Sequence, residues 1–265
     1  MFYFVKMGNK KLNKNYILIL SFICGLVNLN AQQKLVWSDE FNYKGLPDST
    51  IWSFDTGNGC PQLCGWGNNE LQYYTYKDTN NIAVLNGVLK ITALKQTKDS
   101  YNYTSAKILS KNKVNLKYGR IECRAKFPTS KGTWPAFWML GANNDSIAWP
   151  YCGEIDIVEH KGNDLNTIYG TLHYPQYYGN KANGSTQLIK DVHNFHLYSI
   201  DWNSTTISFF VDKKLYHKVT IKKDMPFNQP FYFLINLAIG GNFAGKVADD
   251  FQYDNLEIDY IRVYK

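Results

Sequence analysis

Apolar and polar residues alternate in short runs along most of this chain, and Gly, Asn, Asp and Pro separate one run from the next. The clearest run is GRIECRAKF, residues 119–127, in which apolar residues alternate with charged ones. A period of two is that of a β-strand with one buried face. Further strand-like runs cover residues 81–94, 154–160, 168–174, 195–202, 206–212, 231–239 and 256–264.

These runs predict an all-β protein, because no stretch of similar length repeats its apolar residues at the helical period of 3.6. Residues 209–217 (FFVDKKLYH) indicate a hairpin with its turn at Asp212 and Lys213. Many short strands at modest spacing favour a sandwich of two sheets. Because no Pro/Ser-rich linker interrupts the pattern, we expect one domain over residues 32–265.

Residues 1–31 have the composition of a secretory signal peptide. Four lysines precede the apolar run of residues 16–29, and Asn30 and Ala31 follow it. The alternative is a membrane anchor, but this run is well short of the roughly 20 apolar residues that span a bilayer. We therefore expect cleavage after Ala31 and secretion, either to the periplasm or to the medium.

The charge of the chain says little about binding partners once the signal peptide is set aside. The formal charge is +7, and cleavage would remove four lysines and no acids. The remaining positive charge is small and is not gathered into a run of Lys or Arg. Nucleic acids and anionic membranes are therefore disfavoured as partners.

Four cysteines follow residue 31, an even number in a compartment that permits disulfides. Cys60 and Cys64 could close a small loop, and Cys123 and Cys152 lie in strand-like segments that could be neighbours. Four cysteines allow three pairings, so the sequence leaves the pairing open. Zinc is the rival interpretation of CPQLC (60–64), but no second His/Cys cluster of suitable spacing follows it.

The segment CGEIDIVEH, residues 152–160, contains three carboxylates within six positions. In a regular strand Glu154 and Asp156 share a face, with Cα atoms about 6.6 Å apart, whereas Glu159 faces the other way. Either Glu159 is an ordinary surface acid on an edge strand, or a β-bulge at Ile157 and Val158 turns it onto the same face. Bulges are over-represented beside active sites, and this segment alone leaves both alternatives open.

Carboxylates gathered on one face suit glycoside hydrolysis. One carboxyl group protonates the leaving oxygen while a second attacks the anomeric carbon or activates water, and retaining enzymes hold the two about 5–5.5 Å apart. Crowding raises the pKa of each acid and favours one that stays protonated. A non-catalytic carbohydrate-binding module is the main alternative, although it would not require three acids. A serine hydrolase is disfavoured because no G-x-S-x-G motif is present.

Several spaced motifs resemble glycoside hydrolase family 16, close to its laminarinase branch. They are LVWSDEF (35–41), GWGNNELQYYT (65–75), YGRIECRAKFP (118–128), GTWPAFWMLG (132–141), GEIDIVEH (153–160) and EIDYIRVYK (257–265). The resemblance extends from Leu35 to the last residue. It implies a concanavalin A-like β-jelly roll of two curved antiparallel sheets, with a sugar cleft on the concave face.

By this resemblance Glu154 is the nucleophile, Glu159 the general acid/base and Asp156 the neighbour that tunes them, in a retaining double displacement. The spacing E-x-D-x-x-E is that of the bulged branch, which includes β-1,3-glucanases, whereas typical lichenases have E-x-D-x-E. We therefore predict the bulge at Ile157 and Val158. The resemblance thus implies a monomeric hydrolase of laminarin-type β-1,3-glucans that requires no cofactor. Mixed-linkage β-1,3-1,4-glucans and galactans stay open as alternative substrates.

The resemblance also implies which residues bind the sugar. Asn69 and Arg120 match cleft residues that hydrogen-bond it, although strand alternation would also place Arg120 simply on a solvent face. The stacking platforms it implies are Trp134, Trp138 and Trp149. His173 follows on what should be the strand next to the acids, which makes it a further cleft candidate.

Calcium is a weaker expectation from the same resemblance. Glu40 and Asp259 lie in motifs where many relatives hold a structural calcium ion. Two carboxylates so far apart in sequence are little evidence by themselves, because calcium takes six to eight oxygen ligands.

Overall fold

The computed structural model describes Tyr3 and residues 33–265, so the predicted signal peptide and its cleavage point lie outside the described residues apart from Tyr3. The described part contains eighteen strands, two short 3-10 turns and one four-residue helix, α1 (Gly241–Ala244). The strands are β1 (Leu35–Asp39), β2 (Ser53–Asp55), β3 (Gln72–Tyr74), β4 (Ile82–Leu85), β5 (Val88–Leu94), β6 (Tyr103–Ser105), β7 (Lys107–Leu109), β8 (Asn115–Leu116), β9 (Gly119–Lys126), β10 (Thr133–Gly141), β11 (Glu154–His160), β12 (Thr167–His173), β13 (Asn183–Leu188), β14 (His196–Trp202), β15 (Thr206–Val211), β16 (Lys214–Thr220), β17 (Phe231–Ile239) and β18 (Tyr253–Tyr264).

Two sheets pack against each other as a sandwich, which confirms the all-β prediction. The ten-stranded sheet has the order β16-β15-β14-β9-β18-β5-β6-β3, with β1 pairing with β18 and β4 with β5. The eight-stranded sheet has the order β13-β12-β11-β10-β17-β7-β2, with β8 pairing with β17. Among the described strands every pair is antiparallel except β3 with β6. No helix among the described residues is long and apolar enough to cross a membrane.

The main core lies between the two sheets and is built mostly by alternate residues of the strands. In β9 the apolar residues predicted for one face, Ile121, Cys123 and Ala125, are buried in it. All nine residues of β17 are buried, because this central strand is covered on both faces. The far side of β17 contributes Tyr232 and Leu234 to a second, smaller apolar cluster on the outer face of the eight-stranded sheet.

The predicted hairpin is confirmed. Strand β15 ends at Val211 and β16 begins at Lys214, so Asp212 and Lys213 form a two-residue turn. Their φ angles are 46° and 68°, both in the left-handed region. Two central residues with positive φ are the mark of the type I′ turn, whose twist matches that of the strands it joins.

Among the four cysteines that the structure describes, Cys60 and Cys64 form a disulfide. This bond uses both thiols of the CPQLC segment, so the zinc alternative is wrong. Cys123 and Cys152 are buried free thiols, which rules out their pairing. Cys123 lies in the ten-stranded sheet and Cys152 just before β11 in the other sheet, and burial raises the pKa of both thiols.

Candidate active site

The strand β11 carries the three acids and lies between β10 and β12 in the eight-stranded sheet. Asp156 is opposite Thr171 of β12 and Glu159 is opposite Tyr169, so the ladder advances three residues in β11 and two in β12. The register against β10 shifts at the same place. The predicted β-bulge is therefore confirmed.

The bulge puts all three carboxylates on one face. Ile157 and Val158, the two consecutive residues at the bulge, both belong to the main core. Glu154, Asp156 and Glu159 are thereby left on the opposite face of the sheet. Asp156 is only 4% exposed, so it is the most enclosed of the three.

Two neighbouring side chains contact the acids. His173 is opposite Glu154 in β12, and its Nε2 lies 3.2 Å from Asp156 Oδ2 and 3.7 Å from Glu154 Oε1. The indole Nε1 of Trp134 in β10 donates a 3.0 Å hydrogen bond to Glu159 Oε1. Glu159 is thus held by an indole, while the other two acids share an imidazole.

Burial and crowding raise the pKa of every acid in the cluster. Loss of solvent raises the pKa of Asp156 to about 8, although a hydrogen bond with Glu154 opposes the rise. Loss of solvent and the charge of Asp156 raise the pKa of Glu159 to about 8, against the hydrogen bond from Trp134. For the same two reasons the pKa of Glu154 is well above its usual range. The cluster therefore retains protons at neutral pH, as a general acid requires.

The three predicted platform tryptophans all lie around the acids. Trp138 is opposite Asp156 across the β10–β11 ladder, and its Nε1 donates to Asn236 Oδ1 at 2.7 Å. Trp149, in the loop before β11, packs against the ring of His173, the residue opposite Glu154. Trp134 joins them through its bond to Glu159. The structure thus brings these indoles to the acids, and their stacking on sugar stays a prediction.

Asn69 lies at the Trp134 end of this face. Its side chain donates a 2.9 Å hydrogen bond to Asn242 in α1. The next residue, Glu70, forms a β-bridge with Gly240, which directly follows β17. Asn69 is exposed in this position, and its hydrogen bond to a sugar stays a prediction.

Two residues of this face were missed by sequence reasoning. Asn236 of β17 accepts a hydrogen bond from the Trp138 indole N–H through its Oδ1. Its Nδ2 donates a 3.2 Å hydrogen bond to the hydroxyl of Tyr74. Lys107 of β7 lies opposite Asn236, with its Nζ 4.0 Å from the ring centre of Trp66. The available signal was weak: Asn236 is the single polar residue in the apolar run FYFLINLAI.

The cleft assignment of Arg120 is wrong. Arg120 lies in β9 of the ten-stranded sheet, where the residues that alternate with it fill the core. Its side chain therefore points to the outer surface on the opposite side of the sandwich from the acids. There its guanidinium binds Glu122 at 2.7 Å and Asp201 at 2.9 Å. The solvent-face alternative, which the strand alternation offered, describes it correctly.

The two acids named for calcium are both paired with arginines in the structure. Both carboxylate oxygens of Glu40 accept hydrogen bonds from Arg262, at 2.9 and 2.8 Å. Asp259 is paired with a different guanidinium, that of Arg124. Each acid thus has its own arginine partner, and a structural calcium ion near them stays a prediction.

One group with metal-like spacing does occur in the described part of the chain. Ligand atoms of Glu154, Asp156 and His173 lie within 4.8 Å of one another. However, the backbone N–H of Gly179 donates to His173 Nδ1 at 3.3 Å. A metal-bound histidine normally carries a proton on its other nitrogen and donates it to an acceptor. Because Nδ1 of His173 accepts a hydrogen bond, its Nε2 is better suited to carry a proton than to bind a metal.

Comparison with known proteins decides the family. The model of the family "Glycosyl hydrolases family 16" matches residues 69–262, which is more than half of the chain. This chain belongs to glycoside hydrolase family 16. A "Beta-glucanase" of Rhodothermus marinus is 37% identical to this glycoside hydrolase over 279 aligned residues, covering 97% of this chain and 96% of the relative.

Solved structures agree with that family. The laminarinase from Flavobacterium sp. UMI-01 is 45% identical, with a TM-score of 0.81 over 88% of this glycoside hydrolase and 100% of the other chain. The laminarinase catalytic domain of Thermotoga maritima MSB8 is 42% identical, with a TM-score of 0.82 over 88% and 98% of the two chains. The predicted β-jelly roll and the predicted enzyme class, glycoside hydrolase, are thus confirmed.

Proposed function

We propose that this glycoside hydrolase cleaves internal β-1,3-glucosidic bonds of laminarin-type β-glucans by a retaining double displacement. The β-bulge between Asp156 and Glu159 carries the proposal, because it gathers a nucleophile and a proton donor on one face. Relatives at 37–45% identity whose names specify a β-glucanase or a laminarinase support the choice of substrate.

In the first step Glu159 gives its proton to the glycosidic oxygen while Glu154 attacks the anomeric carbon from the opposite side. Glu159 suits the donor role because burial keeps it protonated and the Trp134 indole fixes one of its oxygens. The bond between sugar and leaving group breaks as the bond between Glu154 and the sugar forms. The leaving chain departs with the proton of Glu159.

In the second step Glu159, now ionised, takes a proton from a water molecule that attacks the anomeric carbon. The bond between the sugar and Glu154 breaks as the bond between the water oxygen and the anomeric carbon forms. The sugar is released with its original configuration, and both glutamates regain their starting states. Asp156 lies between the two acids, so its charge changes the proton affinity of both. Aromatic faces at Trp138 and Trp149 would hold the sugar rings on either side of this cluster.

A panel of polysaccharides tests this function. The purified protein is incubated with laminarin, mixed-linkage glucan, agarose and carrageenan, with Glu154→Gln protein as the matched control. We expect a ladder of oligosaccharides from laminarin, no product from the two galactans, and no ladder with the control. A ladder from a galactan alone would overturn the substrate, and no product from any polysaccharide would favour a carbohydrate-binding module.

We also propose that the enzyme is exported by a signal peptide of residues 1–31. The support is the order of a lysine-rich stretch, a short apolar run and a small residue at its end. Expression of the full chain in a bacterial host, followed by N-terminal sequencing of the exported protein, is expected to find Gln32 first. A chain without residues 1–31 should stay in the cytoplasm. Full-length protein in the membrane fraction would instead support the anchor alternative.

A further inference from the structure

His173 has an environment that a sugar-binding side chain does not need. Its ring lies between Trp149 on one side and the acid strand on the other, and its side chain is 16% exposed. Nε2 faces Asp156 Oδ2 at 3.2 Å, whereas Nδ1 accepts the backbone N–H of Gly179. Both ring nitrogens are thus directed at protein groups.

These contacts select one tautomer of the neutral ring. A nitrogen that accepts an N–H carries no proton of its own, so the proton of neutral His173 lies on Nε2. Asp156 Oδ2 is buried and accepts no well-aligned hydrogen bond, which would be costly for a charged oxygen. Nε2–H is within reach of that oxygen, and a small rotation of the ring completes the bond.

We propose that His173 is a positioning residue whose Nε2–H binds Asp156 and so stabilises the ionised form of the pair made by Asp156 and Glu154. The proposal rests on the proposed function, in which Glu154 must be ionised to attack. His173 does not contact the reacting atoms in this role. It acts through Asp156, which lies two residues from Glu154 on the same face of β11.

The titratable groups that face His173 are Glu154 and Asp156, with Glu159 across the bulge. Trp149 and Gly179, which contact the ring from two loops, carry no charge. A donor to a carboxylate favours its charged form, so loss of the donor raises the pH at which the pair ionises. A hydrogen bond to a charged group corresponds to a shift of about one pH unit.

Two substitutions of His173 distinguish a role as hydrogen-bond donor from a role in packing alone. His173→Leu removes the N–H, while His173→Gln keeps an amide N–H that can reach Asp156. His193→Gln, at an exposed histidine, is the control. Laminarin hydrolysis is measured from pH 4 to 9, with KM and kcat determined separately.

For His173→Leu we expect the acid limb of kcat/KM to move up by about one pH unit, with about ten-fold lower kcat on that limb and KM within two-fold. His173→Gln should lie near the wild type. An unchanged acid limb in His173→Leu would overturn the proposal, as would a rise in KM with kcat unchanged, which indicates sugar binding. Failure of His173→Gln to restore the profile would also count against it.

A second readout is independent of the substrate. The ¹⁵N chemical shifts of the His173 ring in the labelled protein should show a protonated Nε2 and an unprotonated Nδ1 at pH 7. The opposite tautomer would overturn the proposal even if laminarin is cleaved. If the wild type cleaves no polysaccharide of the panel, the proposed function fails, whereas the ring shifts still report whether His173 is the donor.

Discussion

Substitution of Glu154 or Glu159 by glycine is expected to lower laminarin cleavage by at least about 10⁴-fold, and azide is expected to restore the two variants with opposite stereochemistry. The substrate for the rescue is an aryl β-laminaribioside with a good leaving group. Glu154→Gly leaves room for azide on the side of the missing nucleophile, so a single displacement gives the α-glycosyl azide. Glu159→Gly still forms the glycosyl-enzyme, and azide then releases the β-glycosyl azide.

The stereochemistry assigns the roles, since simple loss of activity does not distinguish nucleophile from acid. Proton NMR of the azide product gives the anomeric configuration directly. Asp249→Asn, at an exposed acid that pairs with Lys246, is the matched control and should keep full activity. If the azide anomers are exchanged between the two variants, the two roles are exchanged; if laminarin cleavage survives both substitutions, the retaining mechanism is wrong.

The fold was predictable because its physical signal is local and repeated. Strands such as β5 and β9 each show their own alternation, and the two-residue turn at Asp212 and Lys213 lies between two strands that are adjacent in sequence. Even the bulge could be inferred, because the odd spacing between Asp156 and Glu159 conflicts with a regular strand. That conflict is a property of a short segment and needs no knowledge of distant residues.

The contacts that the sequence did not predict depend on which strands become neighbours in a sheet. The alternation in β9 shows that Arg120 lies on the face of the strand opposite to the core. The same alternation would occur in either sheet, so it does not show how far Arg120 lies from the acids. Lys107 and Asn236 are 129 positions apart and meet only because β7 pairs with β17. The arginine partners of Glu40 and Asp259 come from other strands as well.

The acid cluster is expected to destabilise the folded enzyme as pH rises, which gives the second large effect. Burial raises the pKa of Glu159 to about 8, far above the value of about 4.3 in an unfolded chain. Between these two values the folded state binds more protons than the unfolded state, so the free energy of unfolding falls with increasing pH. Below about pH 4 both states are protonated, and this penalty disappears.

Glu159→Gln should therefore be more stable than the wild type at pH 9, by about 2 to 5 kcal/mol, with little difference at pH 4.5. The amide keeps the shape of the side chain and an oxygen for the Trp134 indole, so packing changes little. Urea unfolding at pH 4.5, 7 and 9 measures the difference. Curves for the two proteins that stay parallel over this range would show that Glu159 does not hold a proton in the folded state.

Glu40→Gln provides a control of opposite sign. Its pKa is lowered by the hydrogen bonds from Arg262, so its ionised form stabilises the folded state above the unfolded pKa, and that contribution is lost as pH falls. This pair is partly exposed, and its effect should stay below about 1 kcal/mol. We expect that, at pH 9, Glu159→Gln stabilises the enzyme and Glu40→Gln slightly destabilises it. This result would show that the acid cluster lowers the stability of the folded enzyme. The cost arises because the environment that keeps Glu159 protonated also opposes its ionisation after each proton transfer.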